Sequence, residues 1–514
     1  MIVKILALTL SIICNSKIYE GAFKNIVCVC NSTSCDEVEP LGKITTGKAV
    51  VYRSTLDGDR LKRMNIGMET KPNDKENVST TISIDAGRRF QKIFGFGGAF
   101  TDSAGEQLAA VSETLQDQIL NAYFGENGLE YNVGRVPMAS CDFSTHEYSY
   151  DDTDEDFDLK NFRLAAEDLK LKIPFIQKAV EKTKEKLLLF ASPWSAPGWM
   201  KVTGRMRGGG ALRNDKRVYE AYANYFIKFF EAYQQLSISF WGLTIQNEPS
   251  TGADMTWRWQ TMNYTAETMR DFLKDYLGPR LKQNKVTESL KVMVLDDGRG
   301  LLPGWADTIF NDTEATKYAD GIAVHWYGNL YSPAVLLDIT QKRHPDKFIF
   351  GTEACTGYFG HHGPIMGDWF RAESYADDII TDLNHYVTGW TDWNLCLDET
   401  GGPNWAYNVV DSPIIVNRTA QEFYKQPMFY AMGHFSKFLP RGSFRVFTKV
   451  EGDLSVSATS VVADGGRRAT VILSKSPNSL IVRVLDISTG QSFVLSLAPR
   501  SIHTIIWNKK KYSE

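Results

Sequence analysis

Two kinds of hydrophobic spacing divide this chain. In its middle, short apolar runs alternate with segments whose apolar residues recur every three to four positions. Phe94–Phe100, Val133–Pro137, Leu187–Ala191, Phe240–Gln246, Lys291–Asp296, Gly321–Trp326, Phe348–Thr352 and Gly389–Leu395 are the runs. Most are nearly continuous, as strands buried on both faces require. Between them, Val218, Tyr222, Tyr225, Phe226 and Phe229 share one helical face, as do Met269, Phe272, Leu273, Tyr276 and Leu277, and Gly278-Pro279 is expected to stop the second helix. Strands alternating with helical crossovers predict an α/β fold, a (β/α)8 barrel. The rival, a doubly wound sheet, lacks its phosphate fingerprint: Gly95-Phe96-Gly97-Gly98 does not extend to GxGxxG before a helix.

From about Arg445 the period becomes two. Leu454, Val456 and Ala458 alternate with polar residues, and Asp464-Gly465-Gly466 and Ser488-Thr489-Gly490 are turn signals. This tail predicts four to six antiparallel strands in an attached β-sandwich. The strand-rich stretch 49–84 is expected to complete it, which would insert the barrel within the β domain. The acidic run 151–158 reads as a solvated loop.

The N-terminus changes the picture from a generic α/β protein to an exported one. Lys4 followed by an apolar run through Ile13 has the form of a secretory leader, too short to span a bilayer, with cleavage expected near Ser16. No later run is long enough for a transmembrane helix. Cys28, Cys30 and Cys35 crowd together behind it, which in an exported chain points to disulfides; no His lies nearby to favour zinc. Three cysteines need a fourth, and Cys14 supplies it only if the leader is cut before it. Cys141, Cys355 and Cys396 read as buried free thiols. Sequons at Asn31, Asn77, Asn263, Asn311 and Asn417 fit export. A net charge of −4 argues against a nucleic-acid partner.

Barrel active sites lie at the C-terminal ends of strands, and two carboxylates stand there: Glu248, after Leu243–Asn247, and Glu353, after Phe348–Thr352. Two carboxyl groups across an anomeric carbon are what glycoside hydrolysis needs, one to protonate the leaving oxygen and one to attack. Asn247, beside Glu248, is placed to bond a sugar 2-hydroxyl. His325 has no role that the sequence alone decides.

At these residues the chain resembles glycoside hydrolase family 30, in particular its glucosylceramidase branch of lysosomal acid β-glucosidases. The resemblance runs from about Val27 to Trp507. It is carried by Val27–Asn31, Arg135–Phe143, Ser192-Pro193-Trp194, Asn247-Glu248-Pro249, His325-Trp326-Tyr327, Thr391–Leu395, Gly401–Trp405 and Phe423–Tyr430. It implies Glu248 as acid/base and Glu353 as nucleophile. It also implies Asp142, Trp194, Asn247 and Trp393 around the glucose, Arg135 orienting the nucleophile, and Tyr327 and Asn408 lining the entrance. No metal or organic cofactor is implied. The implied substrate is glucosylceramide at a membrane surface, in the lysosome, with a saposin-type activator as partner. Trp257 and Trp259 replace a Tyr and a Phe of well-known members, which bears on the aglycone side, and Gly298 replaces a polar rim residue. On this reading residues 1–16 are the leader. Residues 17–42 with 395–426 form a small disulfide-bearing β subdomain, 43–90 with 443–514 the sandwich, and 91–394 with 427–442 the barrel.

Overall fold

A computed structural model describes residues 14–21, 23–69 and 78–509. The leader's apolar run and Asn77 lie outside these residues. Eight parallel strands close a barrel in sequential order: β1 (Gly95–Ala99), β2 (Val133–Met138), β3 (Leu188–Pro193), β4 (Gly242–Thr244), β5 (Lys291–Gly298), β6 (Gly321–His325), β7 (Phe348–Glu353) and β8 (Val387–Asn394). Each falls within or against one of the eight apolar runs. The glycines of β1 serve strand packing. A Cβ on Gly97 would lie 1.8 Å from the Val133 carbonyl oxygen, so only glycine lets β1 and β2 approach this closely.

The helix Lys216–Gln235 buries all five residues of its expected stripe and is capped by the Asp215 side chain, which accepts the Arg217 N–H. The second expected helix does not stop at Gly278-Pro279. It passes from Ala266–Phe272 through a π turn at Leu273–Leu277 into Gly278–Gln283. Pro279, which has no N–H to give to the ladder, comes directly after that π turn, where the helical bonds already shift register. Gly278 is needed for contact, since a Cβ there would meet the Tyr318 ring at 2.3 Å.

Inside the barrel, alternation sorts chemistry by height. Val133, Phe190, Met293, Ala323 and Phe350 plug the N-terminal end. Two residues further along four of these strands stand Arg135, Ser192, His325 and Thr352, all buried polar groups. The barrel therefore changes from apolar to polar over one strand period.

The tail forms six strands between Phe444 and Asn508. With Lys48–Thr55, Lys62–Gly67 and Thr80–Lys92 they make one nine-stranded sheet folded over a shared core of Val51, Ile84, Val484, Phe493 and Trp507. Period two again selects faces: Ala49 and Val51 look into this core, Val50 and Tyr52 toward the barrel. Two expectations are corrected. Thr80–Lys92 pairs in parallel with Leu480–Asp486, so the sheet is mixed. Leu454 is fully exposed in a turn before the strand that starts at Val456. Within the acidic run, Asp151 is buried.

A third sheet joins Ser16–Tyr19 and Asn25–Asn31 to Glu422–Lys425, Ile414–Asn417 and Leu397–Asp398. Cys30 pairs with Cys35, and Cys14 with Cys28. The second bond needs a chain that keeps Cys14, so a leader removed at residue 16 would leave Cys28 without this partner. Cys141, Cys355 and Cys396 are buried free thiols. No helix among the described residues is long and apolar enough to cross a membrane.

Candidate active site

Eight of the nine residues singled out from the sequence line one cavity of about 270 Å³ at the C-terminal end of the barrel; Arg135 alone does not, lying fully buried beneath it. One oxygen of Glu248, one of Glu353 and a ring nitrogen of His325 all lie within 4.8 Å of one another.

The backbone is bent to achieve this. Glu248 sits just before the 3-10 turn Pro249–Ala253 with φ 42° and ψ 59°, and its N–H donates to the Asp296 carbonyl at 2.9 Å. Leu295 and Asp296 are also left-handed, at φ 74° and 59°. Left-handed non-glycine residues each cost on the order of 1 kcal/mol and cluster where function demands them. The pairing of β5 with β6 slips between Leu295 and Asp297. Met293 faces the barrel interior, so strict alternation would point Leu295 inward as well; the slip sends Leu295 into the outer core and brings Asp296 in. A similar slip between β6 and β7 pairs His325 with Glu353.

Arg135 organises the floor. Its Nη1 donates to Glu353 Oε2, Nη2 to Asp296 Oδ2 at 2.8 Å and to Asn247 Oδ1 at 2.9 Å, and Nε to Ser192 Oγ at 3.1 Å. Asp296 also accepts from Thr244 Oγ1 and Thr352 Oγ1, each at 2.7 Å. Burial works to raise the Asp296 carboxyl, but Arg135, His325 and these donors outweigh it and hold it below the usual carboxylate range. His325 bonds Asp296 Oδ1 through Nε2 at 3.0 Å and Glu248 Oε1 through Nδ1 at 3.2 Å. Burial opposes charging the ring, yet Glu353 and Asp296 prevail and its pKa rises to about 10. Two basic groups, Arg135 and His325, thus face the Asp296 carboxylate and the Glu353 carboxyl. Both ring nitrogens of His325 are engaged by carboxylates, Nδ1 by Glu248 and Nε2 by Asp296, so the Glu248–His325–Glu353 trio reads as a proton network.

Glu353 is the more heavily supported carboxylate. Burial raises its carboxyl, with Arg135 and His325 acting against it and Tyr327 donating to Oε1 at 2.7 Å. Tyr327 thus does more than line an entrance: it touches Glu353 and lies 3.4 Å from Cys355 Sγ. Asn408 likewise reaches the interior, donating through Nδ2 to Asp142 Oδ2 at 2.8 Å. Trp194 and Trp393 stack at 5.1 Å and 22°, with the Arg135 guanidinium 4.9 Å and 5.5 Å from their ring centres. Trp257 and Trp259 meet edge to face at 4.8 Å on the cavity wall.

Asp296 was not among the sequence candidates. Its position at the end of the run 291–296 was visible, but no pattern revealed the slip that turns it inward.

Two outcomes follow from these contacts. Arg135→Met is expected to lower unfolding free energy by about 3–5 kcal/mol, because it strands buried carboxylates without their counter-charge; chemical denaturation measures this. Burial raises the Asp142 carboxyl to about 7, from an ordinary 3.8. The native state holds that proton across the window while the unfolded chain has released it, so stability falls as pH rises from about 4 to about 7. Asp142→Asn removes this contribution, and Tm measured along that pH range should decline less than in the unsubstituted protein.

The geometry agrees with comparisons to known proteins. Residues 93–439 match the glycosyl hydrolase family 30 TIM-barrel domain, and 442–505 the β-sandwich domain of the same family. A Caenorhabditis elegans protein named "Putative glucosylceramidase 3" is 80% identical over 97% of this chain and 95% of its own. The lysosomal acid glucosylceramidase of Mus musculus is 41% identical over 95% and 94%. The crystal structure of SrfJ from Salmonella typhimurium superposes with a TM-score of 0.82 at 27% identity, covering 90% of this chain and 99% of that one. With both of its domains matched and two near-full-length relatives beside it, this chain belongs to glycosyl hydrolase family 30, among the proteins named glucosylceramidases.

Proposed function

We propose that this glycoside hydrolase removes glucose from glucosylceramide with retention of configuration. The observation that carries the reading is the meeting of Glu248 and Glu353 within 4.8 Å in one indole-lined cavity. That separation suits direct attack by one carboxylate; inverting enzymes need roughly 6.5–9.5 Å to admit a water.

Glu353, held by Arg135 and Tyr327, is the nucleophile. Its oxygen bonds to C1 of the glucose as the bond from C1 to the ceramide oxygen breaks, and Glu248 gives its proton to that oxygen. Ceramide leaves. Glu248 then takes a proton from water, the water oxygen attacks C1, and the ester to Glu353 breaks. His325, bonded to both Glu248 and Asp296, keeps a positive charge beside the two carboxylates throughout. Asp142 and Asn247 bond the sugar hydroxyls, and Trp194 and Trp393 bound the ring. The mouse relative's name and the secretory features support action in the lysosome; a membrane surface and a saposin-type activator rest on the family resemblance alone.

The test is mechanism-based labelling. A cyclophellitol-type epoxide of glucose configuration should add one adduct per chain, mapped to Glu353 by peptide mass spectrometry, with loss of glucosylceramide turnover. A protein that stays unlabelled, or carries the adduct elsewhere, sinks the assignment.

A further inference from the structure

A buried lysine outside the glucose site connects it to the aglycone wall. Lys201 follows the short 3-10 turn Gly198–Met200 after β3 and is 1% exposed. No carboxylate lies within ion-pair distance of it among the described residues. Its Nζ instead donates to three backbone carbonyls: Met206 at 2.8 Å, Gly208 at 3.1 Å, and Thr261. The first two belong to the loop 203–213 and the third to the loop 251–262. An ammonium has three donors, so Lys201 spends all of them on joining two loops.

Those loops also bond each other through the backbone. Gly208 N donates to Trp259 O at 3.1 Å, Gly209 N to Asp254 O at 2.9 Å, and Gly210 N to Gly252 O at 2.9 Å. The second loop carries Trp257 and Trp259 on the cavity wall, and the Trp257 Nε1 is buried without a protein acceptor. It also reaches the acid/base candidate: Thr261 Oγ1 lies 2.7 Å from Thr251 Oγ1, which donates to the Glu248 carbonyl at 2.8 Å. Glu248 is also held by its own N–H to the Asp296 carbonyl, so neither of its backbone contacts passes through Lys201.

We propose that Lys201 is a positioning residue for the aglycone subsite, fixing the Trp257–Trp259 wall against which a long or bulky aglycone packs. This rests on the β-glucosidase reading above. A small aglycone makes little use of that wall, whereas a ceramide-sized one must lie along it. Loss of the pin therefore weakens binding of large aglycones selectively.

The experiment compares Lys201→Met and Lys201→Arg with the unsubstituted protein. In Lys201→Met, KM for a long-chain glucosyl lipid in vesicles should rise about tenfold or more, while KM for p-nitrophenyl β-glucoside and both kcat values stay within about threefold. Lys201→Arg, which keeps charge and multiple donors, should restore the lipid KM to within about threefold. Amide hydrogen exchange in 203–213 and 251–262 should speed up in Lys201→Met and not in Lys201→Arg, with the barrel strands unchanged. Equal losses on both substrates, or exchange unaltered in both loops, overturn the proposal. Exchange needs no turnover, so it decides the pin even if the chain proves inactive on every β-glucoside, a result that would refute the glucosidase reading instead.

Discussion

Glu353→Gln should abolish turnover of glucosylceramide, lowering kcat by roughly 10⁴-fold or more. The amide preserves volume; its oxygen can still accept from Arg135 while its NH2 donates to the Tyr327 hydroxyl oxygen, so the folded protein should persist. What disappears is the charge that attacks C1, and with it the covalent intermediate. The loss should be as severe on activated aryl glucosides, because a better leaving group does not replace a missing nucleophile. The epoxide should no longer label the protein. Steady-state kinetics on both substrate types, with circular dichroism as the folding control, measures this. Normal turnover by the variant would falsify the nucleophile assignment.

Glu248→Gln should separate the two steps. Ceramide is a poor leaving group and needs the proton, so kcat/KM on glucosylceramide should fall by about 10²–10⁴-fold. A nitrophenolate departs without protonation, so formation of the glucosyl-enzyme from that substrate should survive. Its hydrolysis should not, since the base that activates water is gone. A burst of phenolate followed by slow turnover is the expected trace. Equal loss on both substrates without a burst would assign the proton donor elsewhere. His325, 3.2 Å from Glu248 and charged, is the next group to examine in that case.

The architecture was legible because it rests on periodicity. Continuous runs such as Val133–Pro137 and Phe348–Thr352 mark strands covered on both sides, and the switch to period two near Arg445 marks a sheet with two unlike faces. The carboxylate pair was legible because a barrel puts function at strand ends. Gly278-Pro279 misled because a π turn just before it, which no local pattern announces, lets the helix continue past a proline. The cysteine pairs were not legible, since composition announces disulfides without choosing partners.

What the amino-acid order determined by itself was local: which segments become strands and helices, and so which residues stand near the mouth of the barrel. Tertiary structure decided everything that depends on a half-turn of the backbone or on a neighbour distant in sequence. The slip at Leu295 turned Asp296 inward, and that carboxylate bonds His325 and anchors Arg135. Packing put the Tyr327 hydroxyl on Glu353 and placed Lys201 between two loops. The physical reason is range: propensity and periodicity act over a few residues, whereas charge, burial and register are properties of the closed barrel.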